Sequence, residues 1–228
     1  MARTKGAVGS VTRQKIEDAA VELFAERGFE AVSLREIAEH VGLQVGSLYN
    51  HISSKQDLYF DIINKVWIDL LAELHGTVAK QPTPVGQIRY IVKTVVEYHH
   101  RKGQKFGLFL KTNRPHLSVA QQDIIQQHEQ EYLSRMEAIL RQGDEEGVFH
   151  VVSYKVTSHV IMAMLLEAIR ALSGKSGLNP VEVEAYHSFY VYRIVGASED
   201  ICNAALSGKR VSPERAVPLR ARRKAPGK

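Results

Sequence analysis

The sequence predicts an all-α protein, in which a small N-terminal three-helix domain is joined by a long helix to a larger helical bundle. Apolar residues recur at intervals of three and four through most of the chain, and no alternating run is long enough to indicate a sheet. Helix start and stop signals divide the chain into about nine helices. With 228 residues, of which 44% are hydrophobic, the chain can form one small and one medium domain, or one large helical unit.

Three short helices are predicted in the first quarter of the chain. The first carries apolar residues at helical spacing over residues 16–24. The second begins at Ser33, which can form a capping box with Glu36, and ends at Gly42. The third covers residues 44–51. Two short helices that are joined by a glycine-containing turn and braced by a preceding helix form a helix-turn-helix, so we expect that motif here.

A long fourth helix is predicted from a cap at residues 53–57 to about Gly76, and Gln81–Pro84 marks the clearest break in the chain. Beyond this break, periodicity and capping signals indicate five more segments, at residues 84–103, 106–110, 118–143, 156–172 and 179–208. From residue 209 onward the chain has eight Lys or Arg side chains, one Glu and almost nothing to bury. The predicted units are residues 10–56, residues 57–208 and a basic, disordered tail at residues 209–228.

The net charge of +5 does not by itself indicate a nucleic-acid-binding protein, because the tail accounts for more than all of it. Basic residues at both ends could nevertheless add contacts with phosphates. Those near the N-terminus are Arg3, Lys5, Arg13 and Lys15. A function in DNA binding must therefore be argued from particular side chains.

The chain lacks the signatures of enzymes, secreted proteins and membrane proteins. It has no glycine-rich phosphate loop, no G-x-S-x-G motif and no metal-spaced set of His and Cys, so we expect no catalytic residue, no metal and no cofactor. The single cysteine, Cys202, excludes an intramolecular disulfide, and no run of 18 apolar residues exists. The N-terminal residues do not resemble a secretory signal. We expect a cytoplasmic protein with no membrane partner.

The third predicted helix has the composition of a surface that reads DNA bases. Leu48 and Ile52 can face the core, which leaves the other side chains outside, with no acidic residue among them. Gly46 permits close approach of the backbone, and Gln44 and Ser47 can donate hydrogen bonds to base edges or phosphates.

Four further side chains complete this surface. Val45 can contact a thymine methyl group, whereas Tyr49, His51 and Lys55 can donate to phosphates, which sets register rather than sequence. The alternative is that these are ordinary surface residues of a helical domain.

The same region resembles the DNA-binding domain of the TetR family of transcriptional regulators. The resemblance covers roughly residues 12–62 and is carried by the segments Ala19–Phe29, Val32–Ala38, Val41–Leu43 and Gly46–Leu58. It implies that Arg35 contacts a base or a phosphate from the second helix. The predicted DNA-contacting residues are Ser33, Arg35, Gln44, Val45, Gly46, Ser47, Tyr49, Asn50, His51 and Lys55. Ile52 stands where the family usually has Phe, which affects packing rather than contact.

The resemblance also implies a homodimer on a palindromic operator, because two such modules must meet half-sites one helical turn, or a multiple of it, apart. The last two long helices carry more apolar surface than one bundle needs and are the predicted interface. Its candidate residues are Val160, Met164, Leu165, Leu172, Phe189, Tyr190 and Ile194. Packing within the core is the alternative for each of them.

A ligand pocket inside the bundle is the third implication. Its candidate residues are the apolar or aromatic Trp67, Phe106, Phe109, Leu110, Tyr132, Met136 and Met162, and the polar His100, Asn113, Arg114, His128 and Arg170. The segment Pro115–Phe149 resembles regulators that sense acyl-CoA esters. We therefore expect a repressor that a small apolar or acyl-CoA ligand releases from DNA by a population shift. A metal-sensing repressor, a helical enzyme and a helical interaction module remain alternatives.

Overall fold

The computed structural model describes residues 5–78, 80–103, 116–175 and 178–207, with side chains for residues 10–76, 80–103, 116–166 and 178–207. Within these ranges the chain forms nine helices and no strand, which confirms the predicted all-α fold. The helices are α1 Lys5–Arg27, α2 Leu34–His40, α3 Val45–Leu48, α4 Lys55–Val78, α5 Pro84–Lys102, α6 Val119–Glu145, α7 Tyr154–Lys175, α8 Pro180–Ile194 and α9 Glu199–Leu206. The predicted segment at residues 106–110 and the basic tail lie outside the described residues.

The N-terminal domain consists of α1, α2, α3 and the first turns of α4. These helices meet in a core that contains the buried side chains Ile16, Phe24, Ile37, Leu48 and Leu58. Because α2 and α3 are too short to be stable as isolated helices, this shared core is what allows them to form.

The start of α2 and the turn after it follow the sequence signals. The Ser33 hydroxyl accepts a hydrogen bond from the Glu36 N–H (3.2 Å), and the Glu36 carboxylate accepts one from the Ser33 N–H (2.7 Å). Gly42 then adopts a φ of +72°, a conformation that favours glycine, and the chain turns into α3.

The third helix is shorter than the predicted segment 44–51, because regular α-helix covers only Val45–Leu48. After it, the Asn50 N–H bonds the Ser47 carbonyl (3.3 Å) and the His51 N–H bonds the Leu48 carbonyl (2.9 Å). Each of these hydrogen bonds joins residues three apart, as in a 3₁₀-helix, so the backbone between α3 and α4 is wound more tightly than an α-helix. The predicted recognition element, residues 44–51, is therefore one helical turn followed by a tight turn.

The remaining helices form a bundle around α4 and α5. α4 packs against α1 at one end and against α5 and α6 along its length, while α5 also contacts α7 and α8. The shared core includes Leu70, Ile88, Val95, Leu140 and Ile161. None of the described helices combines the length and the apolar character that crossing a bilayer requires.

Two predicted helix ends in the bundle are wrong. The segment 179–208 is two helices, because Gly196 has a φ of +69° and Ser198 caps the start of α9 through the Ile201 N–H. α6 continues past Gly143, which was predicted to stop it. A Cβ at Gly143 would lie only 1.9 Å from the Phe149 ring, so this glycine serves close packing rather than helix termination.

Candidate nucleic-acid interface and effector cavity

The exposed face of α3 matches the predicted groove-reading surface in its burial. Leu48 and Ile52 are buried and anchor the element, as predicted. Tyr49 is the most prominent exposed group, with 55% of its surface accessible. The other predicted residues of this element are exposed or half-buried, namely Gln44, Val45, Gly46, Ser47, Asn50 and His51. The surface is available to a ligand and contains no acidic side chain.

The two predicted contacts on α2 differ in availability. Arg35 is exposed, and its only described partner is Glu39, one helical turn away at 2.9 Å. The Ser33 hydroxyl is engaged in the capping box with Glu36, whose other oxygen lies 2.9 Å from the Arg27 guanidinium. These bonds from Ser33 and Arg27 lower the pKa of Glu36 to about 2. The hydroxyl of Ser33 therefore serves as the N-cap of α2.

Lys55 is half-buried, and its ammonium is engaged by the protein itself. Its ammonium donates to the carbonyls of Phe29 (2.9 Å) and Val32 (3.0 Å), with the Glu30 carbonyl at 3.5 Å, and it sits 4.3 Å from the centre of the Phe29 ring. All three donors of the ammonium thus have carbonyl partners in the α1–α2 loop. The phosphate contact predicted for Lys55 has no support from its position.

Arg13, one of the N-terminal basic residues expected to add phosphate contacts, lies within α1 and has internal partners instead. Its guanidinium donates to the His51 carbonyl and pairs with Asp61 on α4 and with Glu17 on α1. It therefore ties α1 to the end of the recognition element. The spacing of Arg13 and Glu17, four residues apart in a helix, was the only local signal for this arrangement.

Four of the predicted pocket residues, Trp67, His128, Tyr132 and Met162, come together in the bundle. The rings of Trp67 and His128 are stacked with centroids 6.4 Å apart, and Tyr132 approaches Trp67 edge-on at 6.5 Å. His128 is bonded to Asn64 on α4 (2.8 Å), a partner that the sequence did not indicate. Burial raises the pKa of the Tyr132 phenol well above its ordinary value.

Tyr132 borders two spaces of different size. The smaller one is a void of about 10 Å³, room for about one water molecule, bordered by Trp67, Leu70, Val95, Tyr132, Met162, Leu165 and Leu166. The larger one is a groove of about 250 Å³, bordered by Leu74, His75, Gln87, Ile91, Tyr132, Arg135, Ala138 and Ile139.

The other predicted pocket residues have different positions. His100 is exposed near the end of α5, because the last turn of that helix extends beyond the core. Met136 is buried but borders neither of these spaces. The side chains of Phe106, Phe109, Leu110, Asn113, Arg114 and Arg170 lie outside the described residues.

The predicted interface residues divide into exposed and buried ones. Val160, Tyr190 and Ile194 are exposed large apolar side chains. Met164 and Phe189 are half-buried, and Leu172 lies outside the described side chains. Leu165 is only 1% exposed in the single chain, because it packs beside Trp67 and Leu70, so its assignment to an interface was wrong.

Comparison with known proteins decides the family. Residues 16–62 match the model of bacterial regulatory proteins of the tetR family, and residues 81–170 match a tetracyclin repressor-like C-terminal domain. The chain belongs to the TetR family. It is therefore a DNA-binding transcriptional regulator and not an enzyme.

Relatives within the TetR family agree with this assignment. The transcriptional repressor KstR2 of Mycobacterium tuberculosis is 26% identical over 152 residues, which are 65% of this chain and 74% of KstR2. A tetR-family protein from Rhodococcus RHA1 has the same fold, with a TM-score of 0.75 at 21% identity over 82% of this chain and 98% of that one. AibR, solved with isovaleryl coenzyme A and operator DNA, gives a TM-score of 0.71 at 20% identity over 82% and 99% of the chains.

The metal-sensing alternative within the TetR family gains no support from the described residues. No three His, Cys, Asp or Glu side chains in that part of the chain come together in a group that could hold a metal ion. His128, His75 and His116 instead contact Asn64, Glu131 and Glu30 in pairs.

Proposed function

We propose that this TetR-family protein is a cytoplasmic repressor that binds a palindromic operator as a homodimer and is released by a small acyl-CoA-type ligand. The observation that carries the proposal is the exposed, acid-free face of α3, held in place by the core contacts of Leu48 and Ile52. A negatively charged double helix requires such a surface, since a carboxylate there would repel phosphates.

The proposed DNA contacts follow from exposure. Gln44, Val45, Gly46 and Ser47 would face base edges in the major groove, at the N-terminal end of the recognition element. Backbone contacts would come from Arg35, Tyr49, Asn50 and His51, with Ser33 at the start of α2. Lys55 is not among them, because its donors are used within the protein.

The proposed dimer interface lies on α7 and α8. Val156, Val160, Val181, Tyr190 and Ile194 are exposed on these two helices, and the half-buried Met164 and Phe189 belong to the same helices. Exposed apolar residues concentrated on two helices that pack against each other are typical of a protein–protein interface. Pairing across a two-fold axis would bring two recognition elements to one palindrome.

The proposed ligand class rests on the bundle and on AibR, which binds isovaleryl coenzyme A. The void beside Trp67 is lined by apolar and aromatic side chains, and at about 10 Å³ it would accept a short acyl group only if lining side chains such as Tyr132 and Met162 moved apart. The groove that shares Tyr132 with it contains Arg135, a cation that pairs with Glu131 (3.2 Å) and is suited to a phosphate or carboxylate.

The first experiment is a selection from random DNA, followed by affinity measurements on the preferred palindrome. We expect Tyr49→Ala and Asn50→Ala each to weaken binding about tenfold, equivalent to the loss of one charge-assisted hydrogen bond. Asn203→Ala, an exposed asparagine on α9, is the matched control and should leave binding unchanged. A protein that selects no preferred sequence would contradict the proposal.

The ligand and the dimer require separate measurements. Trp67 is the only tryptophan and lies beside the void, so its fluorescence should respond to isovaleryl coenzyme A but not to free coenzyme A. Sedimentation should give a dimer that Ile194→Asp converts to monomers, whereas Val119→Asp on α6 should not. An unchanged spectrum with a range of acyl-CoAs would remove this ligand class.

A further inference from the structure

The start of α6 and the residues just before it form hydrogen bonds with the first turn of α4, where the N-terminal domain meets the bundle. Gln121 Nε2 donates to Asp57 Oδ1 (2.9 Å), and Gln56 Nε2 donates to the His116 carbonyl (2.8 Å). We call these four residues, Gln56, Asp57, His116 and Gln121, the interdomain clasp. Gln56 and Asp57 lie in the first turn of α4, so the clasp ties the start of α4 to the start of α6, in addition to the continuity of α4 between the domains.

The bond between Gln121 and Asp57 links the caps of two helices. Gln121 Oε1 accepts from the Ser118 N–H (3.0 Å) in the capping box of α6. Asp57 Oδ2 accepts from the Ser54 hydroxyl (2.8 Å), which in turn accepts from the Asp57 N–H at the start of α4. Each of the two side chains is thus held by its own helix terminus, so the bond between them fixes one helix start against the other.

His116 extends the clasp to the loop that precedes α2. Its ring stacks on Phe29 with centroids 4.5 Å apart, and its Nδ1 lies 3.0 Å from Glu30 Oε1. The same loop is held by Lys55, which bonds the Phe29 and Val32 carbonyls, and by the Tyr59 ring, which lies 4.9 Å from the Phe29 ring. Since Val32 directly precedes the cap of α2, the bundle touches the loop that leads into the helix-turn-helix.

The clasp also lies on the helix that borders the proposed effector cavity. Tyr132 and Arg135 follow Gln121 by eleven and fourteen residues on α6, which corresponds to about 16–21 Å along one rigid helix. A shift of α6 at the cavity would therefore move the clasp.

We propose that Gln121 and His116 are positioning residues for DNA reading, because the clasp sets the orientation of the helix-turn-helix relative to the bundle. This rests on the proposed function, since orientation matters for DNA only if two modules must meet two half-sites. In a dimer, that orientation determines the distance between the recognition elements and hence the preferred spacing of the half-sites.

The test reverses the polarity of the Gln121–Asp57 bond. Gln121→Glu places a second carboxylate against Asp57 while it preserves the α6 capping box, in which Glu is equally suitable. Adding Asp57→Asn restores a donor opposite the new carboxylate. Gln126→Glu, an exposed residue of the same helix, is the control for charge.

Two readouts separate positioning from folding. Amide hydrogen exchange of the DNA-free protein should speed up about tenfold at residues 54–58 and 116–122 in Gln121→Glu, and return in the double variant. On palindromes that differ by one or two base pairs in half-site spacing, the single variant should lose the wild-type preference and the double variant should regain it. His116→Ala should broaden the preference independently.

The outcomes are distinct. If wild-type protein prefers one spacing and Gln121→Glu keeps that preference although exchange at the clasp has accelerated, the positioning role is overturned. The same holds if exchange does not change, because the clasp would then not join the domains. Absence of any DNA preference in the wild type would instead count against the proposed function itself.

Discussion

The N-terminal domain and the bundle are held together by different means. In the N-terminal domain, two cations reach across to backbone carbonyls: Arg13 bonds the carbonyl that follows α3, and Lys55 bonds two carbonyls that precede α2. In the described part of the bundle, long helices meet mainly through apolar side chains and close approach, as at Gly143 and Phe149.

The difference follows from helix length. A helix such as α3, with four residues, buries too little apolar surface to fix its own direction, so polar anchors at its ends must do so. A helix such as α6, with 27 residues, presents seven turns of packing surface, and its position is set by shape. We infer that the position of the proposed DNA-reading surface depends on a few hydrogen bonds, and that of the bundle helices on steric fit.

The largest effect is expected where steric fit is tightest. Gly143→Ala would place a Cβ 1.9 Å from the Phe149 ring, which is fully buried. We expect a loss of about 3 kcal/mol in the free energy of unfolding, measured by urea denaturation. The bundle would then be shown to depend on one close approach.

Gly76→Ala is the matched control for this change. Gly76 lies in α4, and no atom of a neighbouring element comes within 4 Å of the position that an alanine Cβ would occupy there. Alanine at this position should therefore stabilise the helix by about 0.5 kcal/mol. Phe149→Leu should recover part of the stability of Gly143→Ala. A Gly143→Ala protein as stable as the wild type would contradict the role given to packing.

Local signals in the sequence were sufficient for most of the N-terminal domain. The Ser33–Glu36 box and Gly42 predicted the ends of α2, and the spacing of Leu48 and Ile52 predicted which side of α3 is buried. These features depend on residues within one or two turns of each other, which is why a linear reading finds them.

Long-range contacts were the part that the sequence did not reveal. Lys55 stands next to a DNA-reading element, so its charge suggested a phosphate partner, whereas its actual partners lie more than twenty residues earlier. Leu165 has the periodicity of an interface residue and of a core residue alike, and only the packing of α7 on α4 and α5 distinguishes them. A glycine such as Gly143 usually signals a helix end, but here it leaves space for the ring of Phe149, six residues later and beyond the end of α6.

A smaller effect is expected when a polar anchor is removed. Lys55→Met keeps the aliphatic stem but leaves the Phe29 and Val32 carbonyls without their charged donor. We expect a loss of about 2 kcal/mol in the free energy of unfolding. Lys65→Met is the control, since Lys65 is exposed and its nearest carboxylate oxygen is 3.8 Å away, and it should change stability by less than about 0.5 kcal/mol.

The salt dependence of DNA binding decides between the two roles of Lys55. Each phosphate contact contributes about 0.9 to the slope of log affinity against log salt concentration. If Lys55 is an internal anchor, Lys55→Met weakens binding but leaves the slope as in the wild type. A slope reduced by about one contact would restore the phosphate role and weaken the contrast between the domains.

The smallest of the three effects concerns the cap of α2 and depends on pH. The pKa of Glu36 is lowered from about 4.5 to about 2 by its bonds to Ser33 and Arg27. Because the folded state holds the proton less tightly than the unfolded state, the stabilisation is complete above pH 4.5 and is lost as the pH falls toward 2.

Between about pH 5 and pH 3, the melting temperature of the wild type should therefore fall further than that of Glu36→Gln, which keeps the capping geometry without the titrating group. Glu39→Gln, the same change three residues later in α2, should retain the wild-type pH dependence. Equal losses in the wild type and in Glu36→Gln would mean that the hydrogen-bonded carboxylate adds nothing to a neutral cap, and that the anchors Arg13 and Lys55 alone orient the DNA-reading helices.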